Sequence, residues 1–473
     1  MKDKMIFWIR NEDGRSIRRL EDSWTPSIYV GSDSKLELEV LAENKAVQHY
    51  IKSYDFVPRC ESVRDLGKES IVLQLRLADA SKATPLANTI EDIDTHDRFR
   101  LYNIDILPAQ AYFYEHDLFP LAKCKVDVCR NDKLKWRLDD DSVRFTDYHL
   151  PEFKVIRIGV TSKQEGRLPS FADKIDRIVI KLENGDDETV EIQEESEEDT
   201  LHELMRETAT IDPDFIFTQD GDEWMFPYLT TRAEKNNNQL QLVLSRESVP
   251  VFVRPKKQGG RGGGEGISYF SYGRVHYRAA STMLFGRIHI DTTNSLIHDP
   301  SDLHGLYELA RVCRVPLHTI SRSTIGRALT SMQFYIAHKR ELLVPWKPAI
   351  LENVKTIKEL VVADRGGLIM EPRVGVYEKV AEFDFVSLYP SIITKLNVGA
   401  DTINCNCCPG SKNIVPELGY RICEKRKGLV AESLEVPLQN RKDYKLLRKL
   451  ATDDKSWAIF DSRQSILRTI GHV

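Results

Sequence analysis

The stretch EFDFVSLYPSII, residues 382–393, places a carboxylate inside an apolar run. Read as a β-strand, it puts Asp384, Val386 and Leu388 on one face, with Phe383 and Phe385 on the other. An unpaired charge among apolar side chains is costly, so Asp384 needs a cation or several hydrogen-bond donors. A bound divalent ion meets that need. An aspartate at the edge of a sheet that caps a neighbouring turn meets it equally.

Four cysteines close to this run form a second group with ligand chemistry. Cys405, Cys407 and Cys408 form C-x-C-C, and Cys423 follows 15 residues later. Four thiolates suit zinc, and two suit a short disulfide. The spacing is not that of two separate C-x2-C pairs, and adjacent cysteines point in different directions on an extended chain. It therefore favours a disulfide or free thiols over a metal site.

A third group is basic and lies near residue 450. Residues 421–468 hold 12 Lys and Arg against 7 Asp and Glu, a local charge of 12 − 7 = +5. Arg441, Lys445 and Arg448 recur at i, i+4 and i+7, which is one face of a helix. Such a face attracts phosphate, and it is also what an ordinary solvated helix surface shows.

The elements that must hold these groups are those of a multidomain protein. The chain has 473 residues, 41% hydrophobic and 29% charged, which is too long for one core. Short β-rich runs alternate with helical ones up to residue 150, a new strand follows Pro151, and residues 199–235 read as one long helix-like stretch. The pattern is strongly helical over 298–344, and 345–362 looks like a connector.

The remaining composition bears on location and charge. The net charge is −5, and residues 183–199 hold ten acidic side chains, an arrangement typical of a solvated loop. Apolar runs fall far short of the roughly 20 residues that a bilayer helix needs. The N-terminus lacks the apolar core of a signal peptide. We therefore expect a cytoplasmic protein with no membrane partner.

The string D-F-x-S-L-Y-P-S-I-I, followed by Asn397-Val398 and Asp401-Thr402, resembles the first palm motif of family B DNA polymerases. The resemblance implies that Asp384 binds Mg²⁺ and that the Phe385 carbonyl assists. It also implies that Tyr389 lies under the incoming sugar and excludes a 2′-hydroxyl, with Ser387 and Leu388 beside it at the nucleotide. Magnesium prefers carboxylate and phosphate oxygens, which suits this assignment.

Other segments resemble the same family. DRGGLIMEP, with Gly366 and Gly367, resembles the turn that touches template DNA. Residues 428–449 resemble the first fingers helix, in which Arg441 and Lys445 match the pair that grips the triphosphate. Arg468 stands where the family has Lys, and Arg also neutralises phosphate.

The fold class implied is a multidomain α+β and α/β protein. Its parts are an N-terminal α+β domain at 1–150 with 320–362 packed on it, an RNase H-like exonuclease-type domain at 151–319, the first part of a palm at 363–424, and helical, incomplete fingers at 425–473. Pro437 suggests that the first fingers helix starts there, because proline breaks a helix interior.

The exonuclease-type segment departs from the family. Gly159 and Thr161 occupy the positions of the first Asp-x-Glu pair, and Met225 occupies the second aspartate. Asp302 keeps the third acid, although His298 replaces the usual Tyr. One ligand of four does not hold two divalent ions. We therefore expect an inactive exonuclease, as in the exonuclease-inactivated branch of archaeal family B polymerases.

The fingers also depart. His472 replaces the family's Asn, and no Asp-Thr-Asp occurs in the sequence. The expected function is DNA-templated addition of dNTP to a primer 3′-hydroxyl, in replication or repair, without proofreading. A second polypeptide carrying Asp-Thr-Asp would complete the palm, and this chain alone is expected to be inactive. A truncated gene, or a non-catalytic DNA-binding or regulatory protein on a degenerate polymerase scaffold, are the alternatives.

Overall fold

The structure, a computed structural model, describes residues 4–470. The exceptions are residues 12, 15, 95–97, 131, 165–169, 184–187, 238–239, 253–265, 272, 349–353, 364–369, 384 and 386. Asp384, Gly366, Gly367 and His472 therefore lie outside the described residues. No helix in the described ranges is long and apolar enough to cross a membrane.

Strands in the described part of the chain are β1 (Met5–Arg10), β2 (Ile17–Asp22), β3 (Ser27–Gly31), β4 (Ile51–Arg59), β5 (Ser70–Leu77), β6 (Arg100–Tyr102), β7 (Cys124–Val128), β8 (Leu134–Leu138), β9 (Val155–Lys163), β10 (Lys174–Leu182), β11 (Thr189–Ile192), β12 (Phe215–Thr218), β13 (Ile267–Ser271), β14 (Arg274–Arg278) and β15 (Ile288–Asp291).

Helices there are α1 (Lys35–Ala42), α2 (Lys45–Gln48), α3 (Ala83–Ile93), α4 (Pro108–Glu115), α5 (Glu197–Ile211), α6 (Phe226–Asn236), α7 (Leu303–Cys313), α8 (Leu317–Ile320), α9 (Ile325–Lys339), α10 (Ile357–Ala363), α11 (Leu388–Leu396), α12 (Leu429–Leu450) and α13 (Asp454–Ile470).

The N-terminal part is built on an antiparallel sheet in the order β4-β5-β3-β6. Alternate residues of β5, Leu73, Leu75 and Leu77, are fully buried against α1 and α3, as a half-buried strand requires. Residues 342–345 return to this part, where the amide of Asn103 donates to the carbonyl of Val344 at 2.8 Å.

The next part holds a five-stranded sheet in the order β11-β10-β9-β12-β15. β9 to β11 are antiparallel, whereas β12 and β15 run parallel to β9. Phe215 and Phe217 of β12 face a core that includes α7, and Ile216 faces the opposite core that includes α6. A mixed α/β domain is thus confirmed here.

Two sequence-based expectations for this part are wrong. Residues 199–235 are not one long helical stretch, because the all-buried strand β12 separates α5 from α6.

The acidic run at residues 183–199 is not only a solvated loop. Glu197 begins α5 and forms a buried ion pair with Arg232, with 2.9 Å from Nε to Oε1. Burying the carboxylate of Glu197 costs free energy, which its attraction to Arg232 offsets.

The C-terminal part is helical, and α12 and α13 pack together and against α7. The crossing with α7 is close at Gly305, where a Cβ atom would lie 2.9 Å from the carbonyl oxygen of Ser462. The Gly305 amide donates to the Ser462 hydroxyl at 2.9 Å.

The first fingers helix does not start at Pro437, which lies inside α12. The helix starts eight residues earlier, because the carboxylate of Asp401 accepts a hydrogen bond from the Leu429 amide at 3.1 Å and satisfies an amide that has no helical partner. Pro437 is buried, and its missing amide hydrogen costs one helical hydrogen bond.

Candidate functional site

A cavity of about 1140 Å³ lies between α11 and α12. It is lined by five residues that the sequence singled out: Phe385, Ser387, Leu388, Arg441 and Lys445. Three further cations that the sequence analysis did not single out for this role, Arg144, Lys395 and Lys442, also line it, beside one carboxylate, Glu435. The wall is therefore predominantly basic, which suits an anionic ligand.

Ser387 connects the two walls of this cavity. Its backbone is left-handed, with φ 50° and ψ 60°, immediately before α11. Such a conformation is uncommon for a residue other than glycine and tends to occur where function constrains the chain. The Arg441 guanidinium donates a hydrogen bond to the Ser387 hydroxyl. α12 is thereby linked to the turn that begins α11.

The cations of α12 and α13 lie close enough to repel one another. Burial lowers the pKa of Arg441, and the charge of Arg468 lowers it further. Burial also lowers the pKa of Lys445, with contributions from Arg441, Arg448, Arg468 and Lys449. Within the described part of the chain, no carboxylate forms an ion pair with Arg441 or Lys445. A polyanion in the cavity relieves this repulsion.

The expected strand at 380–389 is wrong for the residues that the structure describes. No sheet there includes residues 380–387, and α11 begins at Leu388. Phe383 and Phe385 are 92% and 76% exposed. A strand needs a hydrogen-bonded neighbour, and the described ranges place none beside this segment. Tyr389, the second residue of the helix, is 70% exposed.

The degenerate exonuclease positions lie on β9 and in two turns that follow strands of the five-stranded sheet. Gly159 and Thr161 lie exposed on β9, where the Thr161 hydroxyl donates to the Arg177 carbonyl at 3.2 Å. Met225 is 2% exposed and belongs to the apolar core. Asp302 lies in the short turn before α7. Among described side chains, the cysteine group alone brings three or more potential metal-binding residues together.

A buried polar network beside Met225 escaped the sequence analysis. The Asp222 carboxylate accepts from Arg322 Nε at 2.8 Å and from the Thr282 amide at 2.7 Å. His289 lies 3.4 Å from the same carboxylate. Burial, together with Arg322, lowers the pKa of His289 to about 4. The second acid of D-G-D and the histidine of RIHID were the signals by which the sequence could have indicated this network. The network holds the π-helical turn 221–225 in place.

Two further side chains position α12. Asn397, after α11, accepts from the Gly428 amide at 2.6 Å and donates to the Cys423 carbonyl at 3.1 Å. Farther along, the fully buried Glu308 of α7 accepts from the Tyr444 hydroxyl at 2.7 Å and from Asn440 at 2.9 Å. Nothing in the sequence singles out Glu308, since a glutamate on a helix is usually exposed.

Comparison with known proteins places these parts in a family. Residues 330–471 match the model described as DNA polymerase family B. Residues 136–310 match the model described as DNA polymerase family B, exonuclease domain.

Curated relatives are archaeal. The chain is 28% identical over 346 residues to "DNA polymerase" of Pyrococcus horikoshii, covering 64% of this chain and 27% of the relative. It is 31% identical over 163 residues to "DNA polymerase 2" of Saccharolobus solfataricus, covering 34% and 25%. The chain thus spans about a quarter of the length of these relatives.

A solved structure has the same fold. It is the family B DNA polymerase from Pyrobaculum calidifontis, with a TM-score of 0.68 and 17% sequence identity. The match covers 99% of this chain and 65% of that chain.

Proposed function

From the exonuclease-type and polymerase domains of family B DNA polymerases that this chain carries, we propose a role in DNA-templated DNA synthesis in the cytoplasm. The reaction is addition of a dNTP to a primer 3′-hydroxyl on a DNA template. The chain supplies the nucleotide-binding wall and one metal-binding carboxylate of the site. The N-terminal, exonuclease-type, palm and fingers domains keep the bounds stated above.

The observation that carries this proposal is the cation group of the cavity. Arg441 and Lys445 face a space of about 1140 Å³ beside Ser387, and their pKa values are lowered by burial and by neighbouring positive charge. A folded chain gains nothing from holding like charges together. A triphosphate in the cavity turns that repulsion into attraction, and Arg468 adds to it.

The metal is assigned to Asp384, which lies outside the described residues. The described lining offers cations and hydroxyls rather than a set of carboxylates, so Mg²⁺ fits this place only with carboxylates from elsewhere. Asp384 adjoins the lining at Phe385, whose carbonyl is the second proposed ligand. When bound, Mg²⁺ would neutralise phosphate charge and lower the pKa of the attacking hydroxyl.

The chain's own residues orient the substrates. Ser387 and Leu388 lie where the sugar and phosphates enter, and the exposed ring of Tyr389 covers the sugar. Gly366 and Gly367 contact the DNA. An Asp-Thr-Asp segment, which residues 1–473 do not contain, is needed to complete the metal site.

Proofreading is absent in this proposal. Gly159 and Thr161 offer no carboxylate, and Met225 presents a thioether within an apolar core. Asp302 alone does not hold two metal ions. Purified protein incubated with a 3′-labelled single strand and Mg²⁺ should leave the strand intact, and its progressive shortening would refute this part.

The test of the main proposal is binding of a fluorescent dNTP to the full chain. Lys445→Ala should weaken binding roughly 10- to 100-fold, since a charge-assisted hydrogen bond contributes about 1.5–3 kcal/mol. Lys455→Ala is the matched control, because Lys455 is exposed and 3.4 Å from Glu152 on the surface. Equal affinities for both variants would overturn the proposal.

A non-catalytic DNA-binding protein on a polymerase scaffold is the second candidate. Arg468, in place of the family's Lys, and the altered exonuclease positions favour it. Primer extension with Mg²⁺, dNTP and a polypeptide that carries Asp-Thr-Asp distinguishes the two candidate functions. No extension, with primed DNA still bound by Asp384→Ala and by the unmodified chain equally, supports the second candidate.

A further inference from the structure

The four cysteines of the C-x-C-C segment and its partner come together in space. Neighbouring sulfurs of Cys405, Cys407, Cys408 and Cys423 lie 3.3–3.5 Å apart. All four lie within 4.8 Å of one another. A disulfide needs sulfurs at about 2.05 Å, and all four cysteines are free. The expectation of a disulfide is therefore not met.

The separation suits one ion at the centre of the four sulfurs. Zinc lies about 2.3 Å from a thiolate, and four sulfurs at the corners of a tetrahedron are then about 3.8 Å apart. The observed spacing is within a few tenths of an ångström of that value. A cluster of several irons requires more widely spaced sulfurs, because the cluster itself occupies the centre.

The backbone holds the four residues together independently of the thiols. The amide of Cys423 donates to the Thr402 carbonyl at 2.9 Å, and that of Asn404 donates to the Arg421 carbonyl at 2.8 Å. Ile403 and Ile422 form a β-bridge between them. Two short segments thus lie side by side, one leading into Cys405 and the other into Cys423.

We propose that Cys405, Cys407, Cys408 and Cys423 bind one Zn²⁺ ion in a closed structural site. Four thiolates fill the tetrahedron and leave no position for water or substrate. Soft sulfur ligands in this geometry select zinc over magnesium or calcium. Zinc replaces the thiol protons, so binding releases up to four protons to solvent.

The site lies at the junction of α11 and α12. Asn397, at the end of α11, binds the carbonyl of Cys423 and that of Arg426, and Asp401 caps the start of α12. The zinc-bound segment therefore fixes where α12 begins. This inference does not depend on the proposed function, since metal content is measured without nucleotide or DNA.

The experiment is metal analysis of the full chain, purified without a histidine tag under reducing conditions. Mass spectrometry of the metals should find one zinc per chain, and X-ray absorption should show four sulfur neighbours at about 2.3 Å. The double variant Cys405→Ser, Cys408→Ser should lose the zinc. Cys129→Ser, which lies outside the group, should keep it.

Four outcomes overturn the proposal. Three concern the metal: zinc well below one per chain with all thiols titratable, zinc bound through nitrogen or oxygen, and iron as the stoichiometric metal. The fourth is a protein mass lower by two hydrogens, which would show a disulfide between Cys408 and Cys423. Should the double variant not fold, Co²⁺ exchanged into the unmodified chain provides the second measurement. Sulfur-to-cobalt charge-transfer bands support the site, and their absence contradicts it.

Discussion

Glu308 joins the exonuclease-type domain to the fingers, and its replacement should release α12. The carboxylate is 1% exposed and accepts hydrogen bonds from Tyr148 at 3.0 Å, Tyr444 at 2.7 Å and Asn440 at 2.9 Å. Each such bond contributes about 1 kcal/mol net. Glu308→Ala therefore costs about 3 kcal/mol locally, since it leaves three buried donors without their acceptor.

The assay is native-state hydrogen exchange, because a chain of several domains does not unfold in one step. A loss of about 3 kcal/mol raises the exchange of the α12 amides roughly 150-fold, since 1.36 kcal/mol is a factor of ten. Tyr444→Phe removes one hydrogen bond and should raise the exchange rate of the α12 amides roughly fivefold to tenfold. The amides of β4 and β5, in the N-terminal sheet, serve as the internal reference and should not change.

Glu435→Ala is the matched control for this prediction. Glu435 lies on α12 itself, but it is half-exposed and pairs with Lys427 across the surface at 2.6 Å, a contact worth at most about 1 kcal/mol. If Glu308→Ala raises α12 exchange no more than Glu435→Ala does, the hydrogen bonds of Glu308 do not hold the helix, and the reasoning fails.

Three other outcomes are expected. Lys445→Gln should raise the thermal midpoint of the free protein, because it removes a partly buried charge among cations, while weakening dNTP binding; a lower midpoint contradicts this. Asp401→Ala should cost about 1 kcal/mol, measured as faster exchange in the first turn of α12, and unchanged exchange speaks against the capping role. The pKa of His289 is lowered to about 4, so the unfolded chain binds a proton below pH 6.5 that the folded chain refuses. Stability should then fall from pH 6.5 towards 4 in urea titrations, by up to about 3 kcal/mol, and His289→Gln should flatten that fall.

The sequence predicted the strands and helices where periodicity was strong. β5 and α7 each bury a regular set of apolar residues, and such patterns do not depend on distant partners. The prediction of a strand at residues 380–387 failed because a strand needs a hydrogen-bonded neighbour. The alternation around Phe383 and Phe385 does not show whether such a neighbour exists. The start of α12 was misplaced at Pro437, because the residue that caps this helix is distant in sequence. Asp401 lies 28 positions before Leu429, the first residue of α12.

The candidate site was predictable where residue type and helical spacing were enough. Arg441 and Lys445 share a face by spacing alone, and both reach the cavity. Lys395 and Arg144 reach it from other elements, which only tertiary structure reveals. The cysteines show a different limit, since their spacing in sequence does not reveal that the four sulfurs come together beside the β-bridge between Ile403 and Ile422.

The carboxylate of Glu308 also constrains how this protein can be rebuilt. Its acceptor atoms belong to α7, and its donors belong to α12 and to the segment before β9. A chimera that transplants α12 and α13 from a relative onto this chain therefore needs the matching α7 as well. Excision of residues 151–319 as a dispensable module would leave two tyrosine hydroxyls and one amide without their hydrogen-bond acceptor. This domain therefore supports α12 whether or not it cleaves DNA.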